Sequence, residues 1–179
     1  AEQALRESEE RFRVVVEGTD NLITRVDDQG RLLYVNPVAR RIFGLEPEQC
    51  LGRLAFDFIH PDDRETTQEA FGRWVAEKRA GADIENRQIS ATGQVRHLSW
   101  NIRLHYGEDG GLVSVDSIAQ DITERRLSEE ALREERERLA TIIDTSSDLM
   151  FLKDPELRYL AANAAHKEAL GIDPKAMQY

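Results

Sequence analysis

The chain has 179 residues, of which 40% are hydrophobic and 32% carry a charged side chain. This is enough for one packed domain with an additional element, and many charges beside few aromatic residues are typical of long solvated helices. The net charge is −10 and no predicted face concentrates Lys and Arg, which disfavours direct contact with nucleic acid because phosphate binding depends on a basic surface.

The first segment has the pattern of a helix over residues 2–17. Leu5, Phe12 and Val16 recur at helical spacing among Glu and Arg side chains. Gly18 predicts the end of this helix, because glycine readily adopts the left-handed conformation found there. Since the helical pattern is present near the first residue, we expect the chain to be part of a longer protein.

Two short strands follow the helix and form a predicted hairpin. Side chains alternate in polarity over residues 21–27, and a second strand is predicted over residues 31–35. The intervening Asp28-Gln29-Gly30 has the composition of a tight turn. The hairpin therefore begins an antiparallel sheet.

Asn36 and Pro37 predict the start of the next helix. Asparagine is a favourable N-cap, and proline suits the first helical position because its missing N–H has no partner to lose there. Gly44 ends this helix. Residues 46–51 and 53–59 are then predicted to form short helical turns.

A longer helix is predicted from His60-Pro61-Asp62-Asp63 to about residue 79. Proline fits its first turn, and the helix dipole favours the two carboxylates at this end. One side of the helix carries an apolar stripe, composed of Ala70, Phe71, Trp74 and Val75.

Three strands are predicted next, over residues 83–91, 94–106 and 112–121. The middle strand alternates clearly, with one face formed by Leu98, Trp100, Ile102 and Leu104. Two strands, several helices and three further strands predict an α+β fold, in which one five-stranded antiparallel sheet has helices on one face.

A charged helix is predicted over residues 124–144, with Thr123 as its N-cap. Its two heptad seam positions are occupied by Ile122, Glu129, Arg136 and Ile143, and by Arg125, Leu132, Leu139 and Ser146. Half of this seam is polar, whereas a stable coiled coil has an apolar seam. The helix is therefore either a solvated linker or a marginal parallel dimer, and we favour the dimer.

The sequence also repeats at an offset of 127 positions without a gap. Leu5, Leu22, Asp27, Arg31, Leu33, Asn36, Gly44 and Pro47 recur as Leu132, Leu149, Asp154, Arg158, Leu160, Asn163, Gly171 and Pro174. We call residues 1–126 the first copy and residues 127–179 the second copy, which holds only the counterpart of residues 1–52.

The repeat divides the chain into four predicted segments. These are an N-terminal helix at 1–17, a complete domain at 18–122, a linker helix at 123–144 and the start of a second domain at 145–179. An isolated hairpin is marginally stable in water. We therefore expect residues 145–179 to be poorly packed on their own, or to depend on a neighbouring chain.

The order of elements and five short motifs resemble the PAS family, including its C-terminal PAC-type motif. The motifs are Asp27-Asp28-Gln29-Gly30-Arg31, Tyr34-Val35-Asn36-Pro37, Phe43-Gly44, Ile59-His60-Pro61-Asp62-Asp63-Arg64 and Gln120-Asp121-Ile122-Thr123-Glu124-Arg125. The resemblance covers residues 10–126 fully and 139–179 in part. It implies a non-enzymatic sensory fold that passes a signal through its terminal helices to an output domain.

The resemblance implies a ligand pocket between the helices and the sheet. Its candidate residues are Val26, Ile42, Phe56, Phe58, Phe71, Trp74, Trp100 and Ile102. The same side chains also suit a filled core, since protein interiors are close-packed. We favour the filled core, with noncovalent flavin or a metabolite as the alternative.

Other cofactors have less support from the residues. Covalent flavin attachment in this family needs an Asn-Cys-Arg-Phe segment, and the single cysteine, Cys50, lies in another context. Haem needs an axial ligand, and none of the four histidines falls on the apolar stripe of the long helix. The chain also lacks a glycine-rich phosphate loop and a recognisable Ser-His-Asp set. We expect no cofactor, no metal and no catalysis within this chain.

The resemblance assigns signal coupling to Asp121 and Thr123, where the last strand becomes the linker. It implies a homodimer through the terminal helices, with seam residues Leu5, Phe12, Leu132, Leu139 and Ile143. We expect a cytoplasmic fragment without membrane contact, because no apolar run is long enough to span a bilayer. The predicted parent is a sensor histidine kinase; the alternatives are a dimerisation module without ligand, or the sensor part of a cyclic-di-GMP synthase or phosphodiesterase.

Overall fold

The computed structural model describes Val14 and residues 16–171, which belong to two compact units, residues 1–126 and 127–179. The first unit contains, in chain order, strands β1 (Leu22–Asp27) and β2 (Leu32–Val35), helices α1 (Ala39–Ile42) and α2 (Pro47–Cys50), the 3₁₀ turn η1 (Ala55–Phe58), helix α3 (Pro61–Ala76), and strands β3 (Gly81–Ile89), β4 (Val95–Tyr106) and β5 (Leu112–Asp121). Helix α4 (Thr123–Thr145) follows, and the last elements are β6 (Phe151–Lys153), β7 (Tyr159–Ala162) and α5 (Ala164–Leu170).

The five strands of the first unit form one antiparallel sheet in the order β2-β1-β5-β4-β3. Strand β5 is central, because Ala119 lies opposite Leu22 of β1 on one side and Trp100 of β4 on the other. The last strand of the first unit therefore pairs with the first strand and joins the two hairpin regions into one open sheet. This confirms the predicted α+β fold with a five-stranded antiparallel sheet.

The core of the first unit consists of two apolar clusters. Leu22, Ile42, Phe43 and Leu98 belong to the larger cluster, in which α1, α2 and η1 supply the helical side. Ala70, Trp74, Leu104 and Val115 form the second, between α3 and the strands β4 and β5. Burying each large side chain stabilises the fold by about 1.5–3 kcal/mol. The region between the two clusters is where the functional site lies.

Helix α3 begins as predicted and ends three residues early. His60 is its N-cap, and its side chain accepts a hydrogen bond from the Asp62 amide at 3.3 Å. The helix stops at Ala76 rather than at residue 79, since Lys78 adopts a positive φ of 50° that no α-helix continues.

The prediction that Asn36 caps the following helix is wrong. Helix α1 begins at Ala39, its N-cap is Val38, and no side chain caps it. The Asn36 backbone carbonyl accepts the Ala39 amide at 3.0 Å, which leaves the side chain free to bind elsewhere. In the second unit the equivalent Asn163 does cap helix α5, since its Oδ1 accepts the His166 amide at 3.1 Å.

The second unit contains the β6–β7 hairpin and the helix α5. The Asp154 amide donates to the Arg158 carbonyl and the Arg158 amide donates to Asp154 Oδ1, as Asp27 and Arg31 do in the first unit. Many of its apolar side chains are exposed, among them Leu149, Phe151, Leu152, Leu157 and Leu160. Within the described residues, no helix combines the length and apolar character needed to cross a bilayer.

Candidate functional site

A cavity of about 90 Å³ lies between α3 and the inner face of the sheet. The backbone alternation of each strand sends every second side chain toward it. Its lining is Thr24, Val26, Gly30, Leu32, Phe43, Ala55, Phe56, Ile59, Thr67, Phe71, Trp74, Ile84, Asn86, Gln88, Trp100, Ile102, Val115 and Ser117. None of these side chains is charged, so the cavity suits an uncharged occupant.

One end of the cavity is polar. Asn86 Oδ1 accepts hydrogen bonds from Gln88 Nε2 at 2.8 Å and from Trp100 Nε1 at 2.9 Å. Asn86 Nδ2 donates to Thr67 Oγ1 at 3.4 Å. Among the described residues, Gln88 Oε1 accepts no hydrogen bond, although Gln88 is buried. This end therefore offers an amide oxygen, Gln88 Oε1, beside amide donors.

The other walls are aromatic and aliphatic. Phe71 packs edge-on against both Phe56 and Trp74, with ring centroids 5.9 Å and 6.4 Å apart. Such edge-to-face pairs hold rings in defined orientations. The aromatic rings thus form a shaped apolar wall opposite the amides.

Six of the eight predicted pocket residues line this cavity, and two do not. Val26, Phe56, Phe71, Trp74, Trp100 and Ile102 line it. Ile42 and Phe58 are corrections: both are buried in the larger core cluster. Phe58 stacks on Phe43 with centroids 4.2 Å apart, because α1 and η1 turn these side chains toward each other.

Sequence reasoning missed the polar end. Asn86 and Gln88 lie two positions apart on β3, where they continue an inner face that begins with the apolar Ile84. Two buried amides at alternate positions, opposite a strand that carries Trp100, were the available signal. Hydrophobic periodicity does not mark these positions, because neither side chain is apolar.

A second cluster joins the sheet to helix α4. Arg96 Nη1 donates to Asp121 Oδ2 at 2.9 Å, and Asp121 Oδ1 accepts from the Thr123 hydroxyl at 2.6 Å and the Thr123 amide at 3.1 Å. The Thr123 hydroxyl in turn accepts the His97 amide at 2.9 Å. We call Arg96, His97, Asp121 and Thr123 the junction. As expected for Asp121, an arginine and local hydrogen bonds hold it, whereas Thr123 binds the sheet rather than capping α4.

The electrostatics of the junction favour an ionised Asp121. Burial raises the pKa of this carboxyl, but the hydrogen bonds from Thr123 and Arg96 outweigh burial and leave the pKa below its ordinary value. Both side chains of the Arg96–Asp121 pair are largely buried. The junction is therefore a partly desolvated charge pair, which is more sensitive to geometry than a surface pair.

Strand β3 also contacts the first turn of α4. Glu85 pairs with Arg126, and its other carboxylate oxygen lies 3.9 Å from Arg125 Nη2. The neighbouring Arg87 is held by Asp63 of α3, with Arg87 Nη2 2.5 Å from Asp63 Oδ1. Hydrogen bonding by Arg87 lowers the pKa of Asp63. The edge strand thus carries cavity amides on one face and ionic contacts on the other.

The predicted seam residues of α4 are partly exposed. Leu132, Leu139 and Ile143 are 53%, 48% and 42% exposed. Their apolar surface is thus accessible to a partner. Leu5 and Phe12, the other predicted seam residues, lie outside the described residues.

Residues considered for cofactor attachment lie away from the cavity. Cys50 is fully buried in the larger core cluster, and burial raises the pKa of its thiol. No histidine in the described part of the chain lines the cavity. Neither a cysteine adduct nor a histidine axial ligand is available at this site.

The fold and this site can be compared with known proteins. A family model described as PAS fold matches residues 16–127, and another described as PAS domain matches residues 137–178. The first match covers the sheet, the cavity and the junction. The second begins within α4 and covers the hairpin and α5.

Two relatives and one solved structure illustrate the similarity. The chain is 32% identical over 140 residues to the virulence sensor protein BvgS of Bordetella parapertussis, covering 75% of the chain and 11% of that protein. It is 29% identical over 134 residues to the two-component sensor PprA of Pseudomonas aeruginosa, covering 74% of the chain and 14% of that protein. The structure of a sensory box histidine kinase/response regulator from Burkholderia thailandensis matches with a TM-score of 0.59 and 27% identity, covering 72% of this chain and 97% of that one. The chain spans 11% to 23% of the length of four curated relatives that it matches.

Proposed function

The chain belongs to the PAS domain family, and we propose that it is a sensing and relay module of a sensor histidine kinase. The proposal draws on relatives named as a two-component sensor and a virulence sensor, and the kinase part draws on the matching structure of a sensory box histidine kinase/response regulator. In this proposal, a shift of the cavity-lining side chains in the first copy alters how the start of helix α4 is held. The proposal includes an output domain in the same protein, to which α4 passes this change.

One observation carries the proposal: strand β4 serves both the cavity and the junction. Trp100 and Ile102 of β4 line the cavity, while Arg96 and His97 at the start of the same strand bind Asp121 and Thr123. A strand moves as a hydrogen-bonded unit with its neighbours. A shift at Trp100 would therefore reach Arg96 without passing through a flexible loop.

The chemistry of the cavity selects a small uncharged ligand with one polar end. Gln88 Oε1 would accept a hydrogen bond from it, and the aromatic wall would cover its apolar part. The volume of about 90 Å³ is well below the roughly 300–1,000 Å³ of sites for larger ligands. A flavin would require the walls to move.

The small cavity also supports a second candidate, a relay module that works without a ligand. In that case the first copy couples helix positions through its sheet alone. Mass spectrometry of molecules released from the purified chain separates the two. A single uncharged compound at stoichiometric amount supports ligand sensing, and its absence after purification from several hosts supports the ligand-free relay.

We propose that α4 connects two PAS domains, of which the second begins in the described residues, and that it forms a parallel dimer. The exposed Leu132, Leu139 and Ile143 supply the seam. The polar positions between them keep the dimer marginal, so that a small signal changes its population. A cysteine at position 139 that cross-links between chains more efficiently than one at position 135 would support this arrangement.

The relay is tested by Asp121→Ala, with Asp116→Ala as the matched control. Asp116 pairs with Arg25 and His105 on the outer face of the same strand, away from α4. We expect Asp121→Ala to accelerate amide exchange in the first turns of α4 by about tenfold, since a buried partner is left unsatisfied. The sheet should remain protected. Unchanged exchange in α4 would contradict the relay.

A further inference from the structure

A buried asparagine occupies the same place in each copy, at Asn36 and Asn163. In the first copy, Asn36 Nδ2 donates to the carbonyl oxygens of Val16 at 3.0 Å and Asn21 at 2.9 Å. Asn36 Oδ1 accepts the amide of Ile23 at 3.1 Å. One side chain thus binds the helix before β1, the connection after that helix, and β1 itself.

The second copy repeats this set of bonds. Asn163 Nδ2 donates to the carbonyl oxygens of Ile143 at 3.0 Å and Asp148 at 2.8 Å, and Oδ1 accepts the amide of Met150 at 3.0 Å. Each partner lies 127 positions after its counterpart. Since His166 stands where the first copy has Ala39, the bonds persist although the surrounding side chains differ.

The chemistry of these bonds requires an amide. The carbonyls of Val16 and Ile143 belong to the last turn of a helix, where carbonyl groups lack a partner within the helix. Asn36 and Asn163 are 0% and 1% exposed, so water does not replace a lost bond at either position. Aspartate would retain the acceptor and lose both donors.

Helix capping does not explain the pair. Asn163 caps α5, whereas no side chain caps α1. Asn36 nevertheless makes the three bonds that Asn163 makes at the equivalent positions. The shared property is attachment to the entering helix. This attachment leads to strand β1, from which Thr24 and Val26 line the cavity of the first copy.

We propose that Asn36 and Asn163 are positioning residues that fasten the end of the entering helix to the first strand of each copy. The inference rests on the relay function proposed above and adds the input side to it. Movement of an entering helix is passed to the strand that follows it, through one amide side chain. We call this arrangement the clasp.

The clasp gives helix α4 an attachment at each end. At its start, Asp121 and Thr123 bind β4 of the first copy. In its last turn, Asn163 binds the Ile143 carbonyl, and Asp144 Oδ1 accepts the Ala164 amide at 3.0 Å. The helix that leaves one copy is therefore the helix that the next copy holds.

Amide exchange of the whole chain carrying Asn163→Asp tests the clasp. We expect residues 142–146 to exchange faster by about five- to a hundredfold, because the carbonyls of Ile143 and Asp148 lose the donor that the buried Asn163 supplies. Exchange over residues 124–130 should not change. Arg158→Ala, which removes an exposed ion pair from the same hairpin, is the control and should leave residues 142–146 unaffected. Unchanged exchange at 142–146 in Asn163→Asp would overturn the proposal.

Asn36→Asp makes the same test in the copy with a complete sheet. We expect faster exchange at the Gly18 amide, which lies in the last helical turn, while β3, β4 and β5 stay protected. Equal acceleration across those three strands would show that the asparagine only maintains the fold, and would overturn the proposal. Failure of the relay would appear instead at the start of α4 in Asp121→Ala, so the two failures are distinguishable.

Discussion

The two copies hold their entering helices in the same way and differ at the positions that face the interior. The asparagine bonds recur in both, as do the backbone bonds of the hairpin turn. The cavity-lining Thr24, Val26 and Leu32 are replaced in the second copy by Phe151, Lys153 and Tyr159. There, Lys153 Nζ lies 4.2 Å from the centroid of the Tyr159 ring. The repeat thus keeps the bonds to the entering helix, while the side chains at the cavity-lining positions change.

The largest expected effect contrasts a buried leucine with its counterpart. Leu22 is fully buried and Leu149 is 53% exposed. Leu22→Ala should lower the free energy of unfolding of the first copy by about 2–5 kcal/mol, whereas Leu149→Ala should change stability by less than about 0.5 kcal/mol. Urea unfolding followed by tryptophan fluorescence measures the first value, because both tryptophans, Trp74 and Trp100, lie in the first copy.

Amide exchange of β6 and β7 measures the Leu149→Ala effect. A large loss of protection there would show that the second copy has a core of its own around Leu149. That result would contradict the difference in packing between the first copy, where Leu22 is buried, and the second copy, where Leu149 is exposed.

A smaller effect concerns acid. The pKa values of Asp63 and Asp121 in the first copy lie below their ordinary values, so ionised carboxylates stabilise the folded state. This stabilisation is complete above the ordinary aspartate pKa of about 3.9 and is lost as pH falls through the lowered folded-state values. Tryptophan-detected unfolding between neutral pH and strong acid should therefore show stability falling at low pH. Asp121→Asn should flatten the fall, and an unchanged profile would contradict the role of this carboxylate.

The smallest effect concerns the hairpin turns. Gly30 has a φ of 77° and its counterpart Leu157 has a φ of 65°. A residue with a side chain pays about 1–2 kcal/mol in this left-handed conformation. Gly30→Ala should destabilise the first copy by about 1 kcal/mol, and Leu157→Gly should stabilise the second by a similar amount.

Exchange of the Asp154 amide, which donates to Arg158 across the turn, reports the second change. Slower exchange in Leu157→Gly is expected. Faster exchange would mean that contacts of the Leu157 side chain outweigh its backbone strain.

Much of the fold could be predicted from the sequence. Alternation along residues 94–106 and the turn residues between strands predict the sheet, because side-chain period follows directly from strand geometry. The five motifs placed Asp121 at the end of the sheet, and the structure shows it bound by Arg96. The offset of the repeat also predicted which residues are equivalent. The segment boundaries, the dimer and the coupling roles stay predictions.

The details of the site were less predictable. An asparagine before a proline predicts an N-cap of the following helix. The side chain of Asn36 instead binds the carbonyls of Val16 and Asn21, contacts that no local pattern reveals. Hydrophobic spacing shows which face is buried but not whether that face meets a cavity or a filled core. Ile42 and Phe58 were therefore predicted to line the pocket, although both pack in the larger core cluster. Asn86 and Gln88 are polar residues that follow Ile84 on the inner face of β3, and only their three-dimensional neighbours identify them as part of the site.

The central claim is that the cavity of the first copy and helix α4 are coupled through the junction. A double-mutant cycle tests it with Ala55→Leu, which adds side-chain volume at the cavity wall, in the presence and absence of Asp121→Ala. Ala91→Leu, at an exposed turn position, is the matched control. The readout is amide exchange over residues 124–130.

The relay predicts that Ala55→Leu changes exchange in this part of α4 when Asp121 is present, and that the change disappears in Asp121→Ala. Ala91→Leu should have no effect in either background. An Ala55→Leu effect of the same size with and without Asp121, or no effect in either, would contradict coupling through the junction.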